Sequence, residues 1–345
     1  MSIARTAAET PKVHREPFAL QPMPRPIRAV AIGGGTGLPT VLRGLRRVAR
    51  RFSHALSLDI TAVVAVGDDG GSSGRLRKEH GLLPPGDVRR CLVALSEDEN
   101  SLLARLFQHR FSAGRELAGH STGNILLAAL AEMEGDFLAG IRRAERLLGC
   151  VGRVLPATLE RIELVGFCED GTRVVGQHHF AQMQEKRIRR VETLPSAPPP
   201  TPGVIEAILD ADVVIMGPGS LYSSVIANLL VDGVADALRR RKGRRILIQN
   251  LACQPGESRG MSAAAHVEAV LTHAGEVVDV LLVDSRARFA AREGEDRVSC
   301  DPEAVLALGV RPVEAELTAP TGRLTHDPDK TALAIVALTL AALEA

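Results

Sequence analysis

The stretch Arg28 to Leu45, RAVAIGGGTGLPTVLRGL, limits the fold more than any other part of the chain. A short apolar run, Ala29 to Ile32, leads into Gly33, Gly34, Gly35 and Gly37, interrupted only by Thr36. Leu38, Val41, Leu42 and Leu45 then recur at helical spacing. Strand, glycine turn and helix form the opening unit of a nucleotide-binding α/β fold. Glycine lets the backbone turn tightly and approach an anion. The following helix aims its free N–H groups and positive dipole end at that anion. The spacing is not GxGxxG, because Leu38 stands where the third glycine would be. No Gly-Lys-Ser/Thr follows either, so the turn is not a Walker loop.

The next apolar run, Asp59 to Val66, fits a strand buried on both faces of a parallel sheet. It leads into Gly67 to Arg77, GDDGGSSGRLR, read as a polar loop at the carboxyl end of that strand. Ser72, Ser73 and Arg75 are predicted to face phosphate there. Asp68 or Asp69 could meet a magnesium ion that bridges phosphates. Leu83 to Gly86 predicts a rigid turn, with Asp87 capping a helix over Val88 to Leu95 and Arg89 as an anion contact. Residues 101–148 read as helical throughout, including Ile125 to Met133 and about Phe137 to Leu148. Gly119 to Gly123, GHSTG, formally matches the serine-hydrolase elbow GxSxG. That elbow needs a strand before it, and Phe111 to Ala118 offers none. Ser121 is therefore read as a helix cap, with Asn124 near the ligand edge.

A change of period marks 150–200 as a β-rich insertion. Arg161 to His179 reads as two strands around Glu169-Asp170-Gly171, with His178 and His179 as a surface pair. Five prolines between Leu194 and Pro202 predict an extended connection. The α/β rhythm resumes at Val204. Strands are predicted over Asp212 to Met216, Arg245 to Gln249, Val277 to Val283 and near Val313. Helices are predicted to Leu230 after Ser220, around Ala263 to Thr272, and from Lys330. The polar strand ends 33–37, 67–77, 217–220, 250–257 and Asp284 fall along one edge of such a sheet. The fold class is thus α/β, a Rossmann-like doubly wound and mainly parallel sheet with a small β-rich insertion.

Composition narrows the setting. Net charge is +1 over 345 residues, so no global field recruits nucleic acid. Five scattered cysteines without a CxxC pair point to reduced thiols and a cytoplasmic protein. The polar, proline-bearing residues 1–26 read as a loose N-terminal extension, leaving 27–345 as the α/β domain. No apolar run reaches the roughly 20 residues of a membrane span.

Six blocks occur in order: AIGGGTGLPTVLRGL, DITAVVAVGDDGGSSGRLR, LPPGDVRRCLVAL, GHSTGNILLAAL, GPGSLYSSVIANLLV and NLACQPGES. Together they resemble the gluconeogenesis factor family (YvcK-like), within the 2-phospho-L-lactate transferase (CofD-like) superfamily, over about residues 28–340. The resemblance implies a Rossmann-like protein that binds UDP-sugars such as UDP-N-acetylglucosamine. It also implies support of cell shape and wall synthesis on gluconeogenic carbon sources. The transferase branch instead joins a phospholactyl group from a guanosine-activated donor to a deazaflavin, using magnesium. The blocks at 68–77 and 84–87 match the YvcK-like pattern, which favours a binding regulator over an enzyme. Ligand contacts are assigned to Gly34, Gly35, Thr36, Gly37, Ser72, Ser73, Arg75, Asn124, Gly217, Gly219, Ser220, Leu221, Asn228 and Asn250. A magnesium ion is assigned to Asp68 and Asp69, no catalytic residue is named, and a homo-oligomer is left open. Two departures bear on ligand preference: Cys253 replaces a common Thr, and Ala227 a common Pro.

Overall fold

A computed structural model describes residues 23–68, 70–114, 116–183, 187–285, 296–320 and 324–344. The ten strands in these residues are β1 (Ile27–Gly33), β2 (Leu58–Val64), β3 (Gly152–Pro156), β4 (Glu163–Cys168), β5 (Arg173–Val175), β6 (Ile188–Leu194), β7 (Val213–Met216), β8 (Arg244–Ile248), β9 (Val280–Asp284) and β10 (Arg311–Ala315). Seven of them form one sheet in the order β10-β9-β8-β7-β1-β2-β3. Every pairing in it is parallel. The chain builds outward from β1 to β3, then returns to the other side of β1 and builds outward again to β10. Such an order reverses at one point, between β1 and β7, and a crevice opens there at the carboxyl ends.

The apolar runs are buried on both faces, and alternate residues serve opposite layers. Ala29 and Ala31 of β1 join a core with Leu38, Val41, Leu42 and the C-terminal helix Pro328–Leu343. Val30 and Ile32 join a second core with Val204, Leu221, Val225 and Val267. This is the pattern of a parallel sheet covered by helices on both sides.

Within the stretch 150–200, β3 is the edge of the main sheet, while β4, β5 and β6 form a small antiparallel sheet in the order β5-β4-β6. The Glu169-Asp170-Gly171 turn joins β4 to β5, with Gly171 at φ +82. His178 and His179 are exposed, but they lie on a short helix, Gln177–Gln182, rather than on a strand.

Three expectations need correction. The loop predicted over 67–77 ends at Gly70, and Gly71–His80 is a helix. Its Gly-Ser-Ser-Gly start is a weak helix former, but Ser72 and Ser73 are both buried there, so tertiary bonds decide. The helical reading of 101–148 fails between Gln108 and Thr122, where Gly114 and Gly119 take φ of +102 and +78. Asp87 lies inside the helix Gly86–Leu95 and caps nothing; the N-cap position belongs to Pro85.

Below the crevice, the His326 imidazole Nε2 donates to the Gln249 carbonyl at 3.0 Å. Burial pushes its pKa down to about 4, against smaller upward pulls from the Gln249 hydrogen bond and then from Asp284. On acidification below the ordinary histidine value the unfolded chain takes up this proton first. His326 should therefore cost stability between about pH 6.5 and 4, at most about 1.4 kcal/mol per pH unit. Urea unfolding at pH 7 and pH 5 should show a smaller acid loss in His326→Gln than in the parent.

Candidate functional site

At the reversal point, Ile32 of β1 stands opposite Met216 of β7, and Gly217 N donates to Ile32 O at 2.9 Å. Beyond these residues the two chains leave toward opposite faces. Helix Gly37–Arg51 buries Leu38 and Leu42 in one core, and the π-helical turn Leu221–Ile226 buries Leu221 and Val225 in the other. The two glycine turns touch where they part. A Cβ on Gly37 would stand 2.0 Å from the Pro218 carbonyl oxygen, and one on Gly219 would stand 3.5 Å from the Gly34 oxygen. Gly35 at φ +62 and Gly217 at φ +72 hold left-handed backbone that favours glycine.

A charged pair fixes the first turn. Asp87 accepts from Gly35 N, Arg90 Nε donates to Gly35 O at 2.9 Å, and the two side chains pair with each other. Gly34 makes room for this, since a Cβ there would lie 2.7 Å from Asp87 Oδ2. From below, Asn228 Nδ2 donates to Gly33 O at 3.0 Å and to Ser224 O at 2.5 Å. Asn228 Oδ1 is buried without a partner among the described residues.

The second turn is fixed by Asn250. Its Oδ1 accepts from Gly219 N at 3.1 Å, and its Nδ2 donates to Gly219 O at 2.8 Å. Ser220 O receives Ser224 N and Val225 N, and Leu221 is buried in the core. The helix N-terminus that follows is already filled by a carboxylate. Glu257 accepts from Tyr222 N, Ser223 N and Ser223 Oγ at 3.1, 3.3 and 2.5 Å. Burial pushes its carboxyl pKa up, against those three hydrogen bonds. The sequence reading missed Glu257 because only the fold brings it to residue 222.

The first-turn amides at Gly37 carry no such plug. Thr36 holds the N-cap position without a side-chain bond, and the first turn has no acidic residue. Gly70 and helix Gly71–His80 at the end of β2 likewise lack a capping side chain and an acidic first-turn residue, and Asp68 takes only the Gly70 amide there. Helix starts leave N–H groups without intrahelical partners, so these two ends remain fit for phosphate.

Around the second helix start, polar side chains are tied together. Ser72 Oγ lies 3.1 Å from His120 Nδ1 and accepts from Asn124 Nδ2 at 3.1 Å. Asn124 Oδ1 accepts from Arg89 Nε at 2.9 Å, and Arg89 also donates to Phe107 O. Arg89 is thus a buried strut, its pKa pushed down to about 10 by burial; Arg90 is the arginine at the glycine turn. Helical spacing could have shown this, because Asp87 and Arg90 share a helix face and Arg89 does not. Arg75 is bound to Ala118 O at 2.8 Å, away from the turn. Ser121 holds the N-cap position of helix Thr122–Glu134 as expected, but its Oγ donates to Phe107 O at 3.2 Å instead of capping the helix amides.

Asp68 lies at this edge, and Asp69 lies outside the described residues. Asp68 Oδ1 accepts from Gly70 N at 3.0 Å, and Ser73 hydrogen-bonds the same carboxylate. Its pKa is raised, first by burial and then by the charge of Asp87. Gly86 permits the approach, because a Cβ there would lie 3.3 Å from Asp68 Oδ2. His178 comes near the same point; a Cβ on Gly70 would lie 3.5 Å from Asp68 Oδ1 and 3.8 Å from His178 Nδ1. Among the described residues no group of three His, Cys, Asp or Glu side chains could hold a metal.

A doubly wound sheet with two touching glycine turns at its reversal point defines a Rossmann-like α/β class of architecture. Residues 29–318 match the family model described as 2-phospho-L-lactate transferase CofD, and the chain belongs to that family. It is 45% identical over 289 residues to the gluconeogenesis factor of Halalkalibacterium halodurans, covering 81% of this chain and 86% of that one. It is 39% identical over 314 residues to the gluconeogenesis factor of Bacillus subtilis, covering 89% and 96%. A crystal structure of a UPF0052 family member from Bacillus halodurans superposes with a TM-score of 0.83 at 41% identity, covering 90% of this chain and 99% of that one.

The contact at Gly37 can be separated from glycine strain in general. Gly37→Ala must push the Pro218 carbonyl away, and should cost about 2–3 kcal/mol or more in urea unfolding. Gly71 has φ +48, and a Cβ placed on it would meet nothing within 4 Å. Gly71→Ala should cost only the left-handed penalty of about 1–2 kcal/mol.

Proposed function

We propose that this chain is a UDP-sugar-binding regulatory protein of the gluconeogenesis factor type, acting in the cytoplasm to support cell shape and wall synthesis on gluconeogenic carbon sources. The observation that carries the reading is the pair of unplugged helix starts, at Gly37 and Gly71, beside the crevice where β1 and β7 part. The names borne by the similar proteins support the regulatory part. In this reading the diphosphate lies over Gly34 to Gly37 and faces the amides of Gly71 to Ser73. Asp87 and Arg90 hold Gly35 in place for it, and Gly217 to Ser220 form the opposite wall. Leu221, Asn124 and Arg75 support the walls without touching phosphate.

Asp68 and Asp87 suit one magnesium ion, since magnesium is commonly held by one or two carboxylates together with phosphate oxygens. Bound there, the ion would neutralise phosphate charge and relieve the repulsion that raises Asp68. Calorimetric titration with UDP-N-acetylglucosamine should show saturable binding that strengthens with magnesium. Asp68→Asn should weaken the magnesium dependence while leaving metal-free binding in place. No heat and no thermal shift at millimolar ligand would sink the reading.

The family model's description and the Asp68–Asp87 pair favour one alternative, a magnesium-dependent phospholactyl transferase. Catalysis there would consist mainly of positioning and charge neutralisation. Incubation with guanosine-activated phospholactate and a deazaflavin would yield a phosphodiester. Absence of product, with UDP-sugar binding intact, rejects the transferase.

A further inference from the structure

At the opposite end of the sheet from the crevice, where β7 and β8 begin, a cleft of about 710 Å³ opens to solvent. That is the size of a small-molecule site. Leu209, Ala211 and Leu343 give it an apolar floor. Arg240, Arg241, Lys242 and Arg244 bring four cations to the lining, against two carboxylates, Asp212 and Asp279. Both carboxylates are already engaged by other arginines. Asp212 holds Arg25 in a two-pronged pair at 2.7 and 2.6 Å. Asp279 holds Arg245 at 3.1 and 2.5 Å.

Residues 239–245 read Arg-Arg-Arg-Lys-Gly-Arg-Arg, and much of that run is used inside the fold. Arg239 donates to Ala274 O, and Arg240 pairs with Asp236 at 3.3 Å. Arg241 is 7% exposed and bonds only carbonyls, those of Ile208, Ala211, Gly243 and Arg244. Burial pushes its pKa down to about 10, against a smaller upward pull from Asp279, so it stays charged at neutral pH. Lys242 is exposed and has no ion pair among the described residues. Arg244 has none either. Its charge reaches Asp279 at a distance, and its Nε is buried without a hydrogen-bond partner among the described residues. Arg241, Lys242 and Arg244 thus lack a carboxylate of their own. Helices Val204–Asp210, Val234–Arg240 and Pro328–Leu343 end at the cleft. Each end adds about half a negative charge, so the three ends offset about half of the three cations and the cleft stays positive.

We propose that this cleft is a second anion site, which binds a small organic phosphate with its charged head at Lys242 and Arg244 and its carbon body on Leu209 and Leu343. A phosphate monoester carries about −1.5 to −2 at neutral pH, which matches the excess charge better than a single carboxylate does. Its oxygens give Arg244 Nε the acceptor that it lacks, and the guanidinium fork suits phosphate geometry. A nucleic-acid backbone is the other common partner of a basic run. It fits less well here, because Arg239, Arg241 and Arg245 are bonded inside the protein and leave no row of free cations to follow a strand. The site lies at the far end of β7 and β8 from the glycine turns, and the inference stands apart from the nucleotide reading of the crevice.

The experiment is calorimetric titration of the full chain with phenyl phosphate, inorganic phosphate, benzoate and a short oligouridylate, for the parent and for Lys242→Gln with Arg244→Gln. Phenyl phosphate should saturate the parent. It should bind more tightly than inorganic phosphate, which has no body to lay on the floor, and than benzoate, which carries one charge. The double variant should bind it about tenfold or more weakly, because two charge-assisted contacts are gone. Nitrogen-15 NMR of arginine-labelled parent should show the Arg244 Nε resonance, identified by its absence from Arg244→Lys, moving with phenyl phosphate. That reads the contact in the parent even where the double variant fails to fold. No saturation at millimolar phenyl phosphate, undiminished affinity in a folded double variant, or an unmoved Arg244 Nε overturns the inference. Benzoate or inorganic phosphate binding as tightly as phenyl phosphate overturns the stated ligand. Oligouridylate binding more tightly than phenyl phosphate, and lost in the double variant, makes the cleft a nucleic-acid face and overturns it too.

Discussion

The crevice depends on the contact between Gly37 and the Pro218 carbonyl. Parallel pairing of β1 with β7 places Gly33 and Gly217 side by side, so both chains must turn within the width of two strands. One turn leads to a helix on one face and the other to a helix on the opposite face. There is room for both only because no side chain stands at Gly37 or Gly34. A Cβ at either place would meet the opposing backbone or the Asp87 carboxylate, and the crevice floor would split. The glycines are needed here for steric approach as much as for positive φ: Gly37 is helical, and a side chain there is excluded by its neighbour.

Electrostatics then decide which anion sites remain open. A helix start attracts any carboxylate in reach, and this fold supplies three, the lightest being Asp68, which takes only the Gly70 amide. Glu257 closes the start at Leu221 with three hydrogen bonds. Asp87 takes the Gly35 amide and is balanced by Arg90. A phosphate at the second turn would have to displace a fully buried carboxylate, whereas one at the first meets uncapped amides. The two turns are therefore unequal partners. The first and its neighbour at Gly71 suit charge, and the second, rigidified by Asn250 and Glu257, serves as a wall. The sequence reading assigned ligand contacts to both glycine turns alike, and Glu257 makes the two turns unequal.

The sheet was legible because buried parallel strands are written as continuous apolar runs, such as Ile60 to Val64 and Val213 to Met216, each ending in polar residues. Their convergence on one edge followed from the fold class. What the sequence concealed was which polar groups are spent inside the protein. Asn124 and Ser72 look like ligand contacts in their blocks, yet they bond each other and Arg89. Arg75 likewise stands in a phosphate-like run and is used to anchor Ala118. Conversely, Asp87 looked like a cap and Glu257 like loop polarity, and both hold turns more than 30 residues away. Such long-range pairings carry no local period, so propensity and spacing do not reveal them. The helix at Gly71–His80 was missed for the same reason, since its glycine- and serine-rich start is stabilised by residues far along the chain.

Once the internal pairings are subtracted, the polar atoms left over differ between the two halves of the edge. The open groups at the ends of β1 and β2 are backbone donors at helix starts, which want negative oxygen. Those near β7 and β8 are acceptors, Asn228 Oδ1 and His266 Nε2, both buried and without partners among the described residues. An unpaired buried acceptor is expensive to keep, and neither would welcome a phosphate. The division of the edge into a donor half at the helix starts and a half whose polar atoms are buried thus follows from where the chain spends its own carboxylates, and in the proposed reading it is the donor half, at Gly37 and Gly71, that would meet the diphosphate.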